Sequence, residues 1–194
     1  MQGHPPADRA KPKRSVSNLN LPNVLTSLRI IVIPVFAWLA LSRPQSWWGF
    51  VLFALLMITD KLDGDIARKY NLVTDFGKIA DPIADKALMV TALVVLNCAF
   101  ALPVWITVVI VIRELGITLW RMGQLRRGRV VPASKGGKIK TTLQAFAVAL
   151  YLVPMSLGWF PLVVMLAAVA VTVVTGGQYI ADAARLGADD KARR

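Results

Sequence analysis

Six apolar segments, each close to the length that crosses a lipid bilayer, dominate this sequence of 194 residues. A transmembrane helix needs roughly 20 consecutive apolar residues, and only helices and closed barrels satisfy their backbone hydrogen bonds inside lipid. A hydrophobic content of 56% is too high for an ordinary soluble domain. The segments lie at about 23–41, 47–67, 76–102 and 103–122, then in a stretch ending near 154, and at 160–179. The pattern predicts an all-α polytopic membrane protein with six transmembrane helices.

The distribution of arginine and lysine predicts how these helices are oriented. An even number of spans places both termini on one side of the membrane, and cytosolic loops carry an excess of positive charge. Nearly all loop arginines and lysines lie on the side of the termini, and Arg43 is the exception. We therefore expect cytosolic termini. The same distribution accounts for most of the net charge of +12, so no nucleic-acid partner is needed to explain it.

The chain divides into three predicted parts. Residues 1–20 form a flexible basic cytosolic arm, residues 21–185 form the six-helix membrane domain, and residues 186–194 form a charged cytosolic tail. The one cysteine, Cys98, lies in an apolar run, and the one histidine, His4, lies in the arm. This composition argues against a disulfide framework, a cysteine-based metal site and histidine catalysis.

The stretch 60–86, which joins the second and third spans, contains six of the eleven acidic residues. Asp60 and Asp63 are three residues apart, and Asp81 and Asp85 are four apart, so each pair shares one face of a helix. Four like charges in an apolar bundle require positive charge among them. Carboxylate oxygens suit Mg²⁺, Mn²⁺ or Ca²⁺. The pattern therefore predicts a divalent metal site.

The predicted depth of these aspartates favours chemistry on a lipid headgroup. At 1.5 Å per residue, the four carboxylates lie about 20–31 Å from the outer boundary of the membrane. This is near headgroup depth on the cytosolic side, whereas a transporter's ion site is typically near the midplane. Gly64 and Ala67 leave room for a ligand close to the first pair. A divalent-cation transporter or channel remains the alternative, because the same aspartates would suit a permeation site.

The same stretch resembles the signature of the CDP-alcohol phosphatidyltransferases, D-x2-D-G-x2-A-R-x8-G-x3-D-x3-D, at every position. The matching residues are Asp60, Asp63, Gly64, Ala67, Arg68, Gly77, Asp81 and Asp85. Further stretches at 21–36, 67–86, 112–118 and 134–144 resemble the bacterial phosphatidylglycerophosphate synthases within this family. The resemblance extends from about residue 20 to residue 185.

This resemblance implies an enzyme that transfers the phosphatidyl group of CDP-diacylglycerol to glycerol 3-phosphate and releases CMP. It implies a divalent metal, Mg²⁺ or Mn²⁺, held by Asp60, Asp63, Asp81 and Asp85, with Asp85 also the candidate general base. The residues implied to bind CDP-diacylglycerol are Gly64, Ala67, Arg68 and Gly77. The resemblance also implies a homodimer in a bacterial plasma membrane, with its active site facing the cytosol.

The basic residues of the candidate acceptor site have two possible interpretations. Lys135, Lys138 and Lys140 begin a predicted helix, where a phosphate is bound favourably, and Arg113 lies beside Glu114 inside the fourth span. These cations would bind the phosphate of glycerol 3-phosphate. Alternatively, the lysines set the topology and the arginine pairs with its neighbours. Within the family, the alternatives to glycerol 3-phosphate are the acceptors of a cardiolipin synthase or a phosphatidylinositol phosphate synthase.

Overall fold

The structure is a computed structural model that describes residues 20–44, 46–70, 74–126 and 135–192, in which all regular structure is helical. The helices are α1 (Leu21–Ser42), α2 (Trp47–Lys69), α3 (Asp75–Ala99), α4 (Val104–Arg126), α5 (Lys135–Leu152) and α6 (Phe160–Ala192). The predicted all-α architecture of six helices is confirmed. The backbone of α6 continues past residue 185 into the predicted tail, whereas residues 1–19 of the predicted arm lie outside the described residues.

Within the described ranges, three stretches are long and apolar enough by themselves to cross a membrane: Leu21–Ser42, Ala80–Ala99 and Phe160–Tyr179. The other three helices carry charged side chains that lower their hydropathy, toward the end of α2, from the middle of α4 onward and at the start of α5. Large apolar side chains, among them Ile31, Trp38 and Ile112, are mostly exposed on the outside of the bundle. An apolar outer surface of this extent is suited to lipid. The chain is a multi-pass membrane protein.

Side-chain caps set the beginnings of two helices. The Asn20 side chain accepts a hydrogen bond from the backbone N–H of Asn23 at 3.0 Å, and α1 has a proline in its first turn. At the start of α3, the Thr74 hydroxyl accepts from the N–H of Gly77 at 3.0 Å. Because α3 begins directly after the polar connection, its second and third turns carry the third and fourth aspartates of the motif.

The first three helices form an up-and-down unit, in which α1 packs against both α2 and α3. Helix α5 packs against α6, α4 against α3 and α6, and α5 also contacts α2 and α3. Fully buried apolar side chains, such as Phe36, Phe53, Leu88 and Leu96, fill the interior. The rings of Phe36 and Phe53 lie 5.8 Å apart between centroids. This apolar core lies toward the end where α1 runs into α2, so the opposite end of the three helices holds the polar residues.

Candidate active site

The four motif aspartates meet at the polar end of the bundle, where α2 ends and α3 begins. Asp60 and Asp63 lie on α2, and Asp81 and Asp85 lie on α3. The carboxyl groups of Asp60 and Asp85 are within hydrogen-bonding reach of each other. Asp81 is close enough to Asp63 for their charges to repel. The structure thus brings the four sequence-predicted metal ligands near one another, two from α2 and two from α3.

Two polar side chains of α1 contact these aspartates. The Arg29 guanidinium is buried and donates through Nη1 to Asp60 and through Nη2 to Asp63, at 2.5 Å for the second contact. The Thr26 hydroxyl donates to Asp81 Oδ1 at 2.6 Å. In the part of the chain that the structure describes, no three carboxylates form a ready-made metal-binding group. The positive charge against the first two aspartates comes instead from an arginine.

A third polar residue of α1 joins the helix to the start of α3. The side-chain amide of Asn23 donates to the Thr74 hydroxyl at 2.8 Å. Asn23, Thr26 and Arg29 follow one another at intervals of three residues and so share one face of α1. None of the three is among the sequence-predicted site residues. Their regular spacing in an otherwise apolar helix is the signal that could have identified them, since polar residues at such intervals indicate a face turned toward a polar site.

The two glycines of the motif, Gly64 and Gly77, belong to α2 and to the start of α3. Gly77 is buried, and a Cβ atom added to it would lie 2.9 Å from Asn23 Oδ1 and 3.3 Å from Thr74 Oγ1. Gly64 is half-buried on α2. The backbones of Ala67 and Arg68 belong to α2, but their side chains lie outside the described residues. Gly77 is therefore needed for the close approach of α1 to the start of α3, independently of any contact with a ligand.

We expect Gly77→Ala to destabilise the protein by about 1–3 kcal/mol, because the added methyl group overpacks the junction. The measurement is thermal unfolding of the purified protein in detergent. Gly123→Ala is the matched control, because an added Cβ on this helical glycine meets nothing within 4 Å. The control should be neutral or slightly stabilising. Equal melting temperatures for Gly77→Ala and the wild type would show that the junction tolerates a methyl group.

A cavity of about 430 Å³ lies among α3, α4, α5 and α6, and its lining includes Lys86, the residue that follows Asp85. Its charged lining consists of four basic side chains and one acidic side chain: Lys86, Arg113, Arg121, Lys140 and Glu114. A smaller cavity of about 150 Å³ is lined by Asp85 together with mostly apolar residues. The two cavities share Lys86, Glu114 and Thr141 as lining residues. Asp85 therefore belongs to the carboxylate cluster and also lines a cavity that adjoins the basic one.

Ion pairs hold two of the basic side chains in place. Arg113 Nη1 donates to Glu114 at 2.9 Å, and Nη2 donates to the Thr175 hydroxyl at 2.8 Å. The guanidinium also lies 5.8 Å from the centre of the Tyr179 ring. The buried ammonium of Lys140 contacts the same Glu114 carboxylate. One carboxylate thus faces several cations, so the charged lining of the cavity carries a surplus of positive charge.

The sequence-predicted acceptor residues have different outcomes in the structure. Arg113 and Lys140 both line the larger cavity. The side chains of Lys135 and Lys138 lie outside the described residues, although their backbones begin α5. Two further lining cations, Lys86 and Arg121, were not predicted. The position of Lys86 directly after Asp85 was the available signal, because successive residues of a helix lie on adjoining faces and can border two neighbouring sites.

Comparison with known proteins gives consistent matches over most of the chain. The sequence profile of the family described as CDP-alcohol phosphatidyltransferase matches residues 19–174. A probable phosphatidylglycerophosphate synthase of Mycobacterium tuberculosis is 46% identical over 177 residues, 86% of this chain and 82% of that protein. The CDP-diacylglycerol–glycerol-3-phosphate 3-phosphatidyltransferase of Bacillus subtilis is 40% identical over 180 residues, covering 82% and 93% of the two chains. A CMP-forming cardiolipin synthase of Streptomyces coelicolor is 35% identical over 148 residues, covering 73% and 68%.

Proposed function

Because the chain belongs to the CDP-alcohol phosphatidyltransferase family, we propose that it transfers the phosphatidyl group of CDP-diacylglycerol to glycerol 3-phosphate and releases CMP. The products are phosphatidylglycerophosphate and CMP, and the reaction belongs to phospholipid biosynthesis. The observation that carries this proposal is the position of the motif aspartates beside a basic cavity. With a divalent cation bound, the aspartate cluster would suit the diphosphate of the donor. The basic cavity would suit an anionic acceptor.

The aspartate cluster fits a divalent cation such as Mg²⁺ or Mn²⁺. Among the contacts described above, one guanidinium contacts two of the four carboxylates, which leaves a surplus of negative charge that a hard dication would neutralise. Asp60, Asp63, Asp81 and Asp85 are the residues that would hold it. When bound, the cation supplies electrostatic stabilisation to the diphosphate oxygens as negative charge develops on the leaving CMP.

The basic cavity supports a phosphate-bearing acceptor. A phosphate monoester carries close to two negative charges at neutral pH, and arginine and lysine side chains are its usual partners. The cavity offers Lys86, Arg113, Arg121 and Lys140, with Glu114 as the one acidic residue among the described residues that line it. Arg113 is held by two side-chain hydrogen bonds, so its orientation is established before a ligand arrives. Glycerol 3-phosphate fits these requirements, and glycerol lacks the group that the cavity would bind.

Asp85 is the proposed general base in this reaction. It is exposed and lines the smaller cavity, which adjoins the basic one. An acceptor held by its phosphate in the basic cavity would present its free hydroxyl toward Asp85. The carboxylate takes the hydroxyl proton, the hydroxyl oxygen attacks the phosphorus of the phosphatidyl group, and the bond to the CMP oxygen breaks. Holding both reactants in line supplies much of the acceleration in such a displacement.

Gly64, Ala67, Arg68 and Gly77 form the proposed contact surface for CDP-diacylglycerol. The small residues allow a nucleotide to approach the helix backbones, and the arginine adds positive charge. The enriched arginine and lysine on the side of the termini support a site that faces the cytosol of a bacterial plasma membrane. Homodimer formation remains a prediction from the family resemblance.

The decisive experiment measures CMP release by the purified protein in detergent with CDP-diacylglycerol and Mg²⁺ or Mn²⁺. We expect release with glycerol 3-phosphate and none with glycerol. In Lys86→Met, the KM for glycerol 3-phosphate should rise roughly tenfold or more, because a charge-assisted hydrogen bond to the phosphate is lost. The KM for CDP-diacylglycerol should change little.

Lys69→Met is the matched control, because it removes an exposed lysine at the end of α2, away from the cavity lining. Equal use of glycerol, or an unchanged acceptor KM in Lys86→Met, would place the phosphate site elsewhere. Preference for phosphatidylglycerol would indicate a cardiolipin synthase. Metal transport without any CMP release would favour the transporter alternative and contradict the proposed function.

A further inference from the structure

Arg29 is the most buried charged contact of the aspartate cluster, and it belongs to a helix outside the motif. The residue is 2% exposed and lies in α1, whose neighbouring positions are apolar. Its Nη1 and Nη2 atoms contact Asp60 Oδ1 and Asp63 Oδ2, so one guanidinium bridges two carboxylates. Its Nε atom is buried and has no hydrogen-bond partner among the described residues.

This geometry sets a conflict between the arginine and a bound dication. The guanidinium uses one oxygen of each aspartate and occupies the position between them, where a cation shared by the two carboxylates would also lie. A guanidinium and a dication that both contacted these two carboxylates would repel each other strongly in surroundings of low dielectric constant. The site without any cation is equally unfavourable, because buried carboxylates without a partner are costly. Either the guanidinium or the dication can therefore neutralise the two carboxylates, and we expect that the two do not do so together.

We infer that Arg29 is a positioning residue that takes the place of the metal in the metal-free protein and withdraws from Asp60 or Asp63 when a divalent cation binds. The inference rests on the proposed function only in the choice of the cation. The Nε atom without a partner is consistent with it, because among the described residues only the two aspartates anchor the guanidinium. Arg29 keeps the two α2 carboxylates paired and pointed toward α1 until the metal arrives.

The test measures Mn²⁺ binding to purified protein without substrate, by titration calorimetry and by the electron paramagnetic resonance of free Mn²⁺. In Arg29→Met, the Kd for Mn²⁺ should fall by about tenfold or more, because the competing charge is gone. The metal-free variant should melt below the wild type, and saturating Mn²⁺ should narrow that difference. Arg43→Met, which removes an arginine at the other end of α1, should leave the Kd unchanged.

Arg29→Lys provides a second variant in case the methionine variant does not fold. An ammonium is a compact point charge and lacks the planar fork that bridges two carboxylates, so the Kd for Mn²⁺ should fall, though less than in Arg29→Met. An unchanged or higher Kd in whichever variant folds would overturn the inference, because it would mean that the guanidinium and the metal do not compete for the two carboxylates. If the wild-type protein releases no CMP but Arg29→Met still lowers the Kd for Mn²⁺, the proposed function would be refuted and the inference about Arg29 would stand.

Discussion

Asp81→Asn is expected to abolish phosphatidyl transfer while leaving a folded, membrane-inserted protein. Asparagine has the same shape as aspartate, and its amide oxygen can still accept the hydrogen bond that the Thr26 hydroxyl donates at 2.6 Å in the wild type. The negative charge that would hold the divalent cation is lost. CMP release should fall by at least about a hundredfold, the usual effect of removing one preorganised electrostatic contribution to a transition state.

Asp63→Asn should also abolish phosphatidyl transfer, but it should destabilise the folded protein more than Asp81→Asn does. Asp63 shares the Arg29 guanidinium with Asp60, so the substitution leaves a buried arginine with one carboxylate partner. Breaking a buried ion pair costs about 3–5 kcal/mol, although the asparagine oxygen recovers part of the contact. Thermal unfolding should therefore show a lower melting temperature for Asp63→Asn than for Asp81→Asn.

Asp65→Asn is the matched control for both variants, because Asp65 is exposed on the same helix and lies outside the motif. Its rate of CMP release should be close to that of the wild type. Wild-type activity in Asp81→Asn or Asp63→Asn would refute the assignment of these aspartates to a metal site. Loss of activity in the control would mean that the assay responds to the overall charge of α2.

Asp85→Asn is expected to keep CDP-diacylglycerol binding and to lose turnover by roughly 10²–10⁴-fold, the contribution of a positioned general base. The chain has one histidine, His4, which lies far along the sequence from the motif, so a carboxylate is the available base. Asp85 is exposed and lines the smaller cavity, whereas Asp63 is buried and contacts Arg29. Single-turnover CMP release measures the loss, and calorimetry with CDP-diacylglycerol measures the binding.

The stereochemistry of the transfer tests the same role by an independent route. A direct displacement by the acceptor hydroxyl inverts the configuration at the reacting phosphorus, and a chirally labelled donor reports it. Inversion together with the turnover loss of Asp85→Asn is the expected result. Net retention would require two displacements through a covalent phosphatidyl-enzyme, and Asp85 would then not act as a simple base.

Much of this protein follows from local sequence. Six apolar segments, each close to membrane-spanning length, predict six helices, because lipid leaves the backbone no partner outside its own segment. The interval of three residues between Asp60 and Asp63, and of four between Asp81 and Asp85, places each pair on one helix face whatever the helices pack against. A short connection between α2 and α3 then brings both pairs to the same end of the bundle. The candidate metal ligands could therefore be selected from spacing alone.

Only the tertiary structure decided which other residues meet the cluster. Arg29 and Thr26 are more than thirty residues from the aspartates that they contact, and their position depends on how α1 packs against α2 and α3. The basic cavity likewise combines Lys86 of α3 with Arg113 of α4 and Lys140 of α5. Helix periodicity gives the face on which each side chain lies, but not the neighbour that this face meets. Contacts between helices distant in sequence depend on the packing of whole apolar surfaces, and no local pattern records that packing.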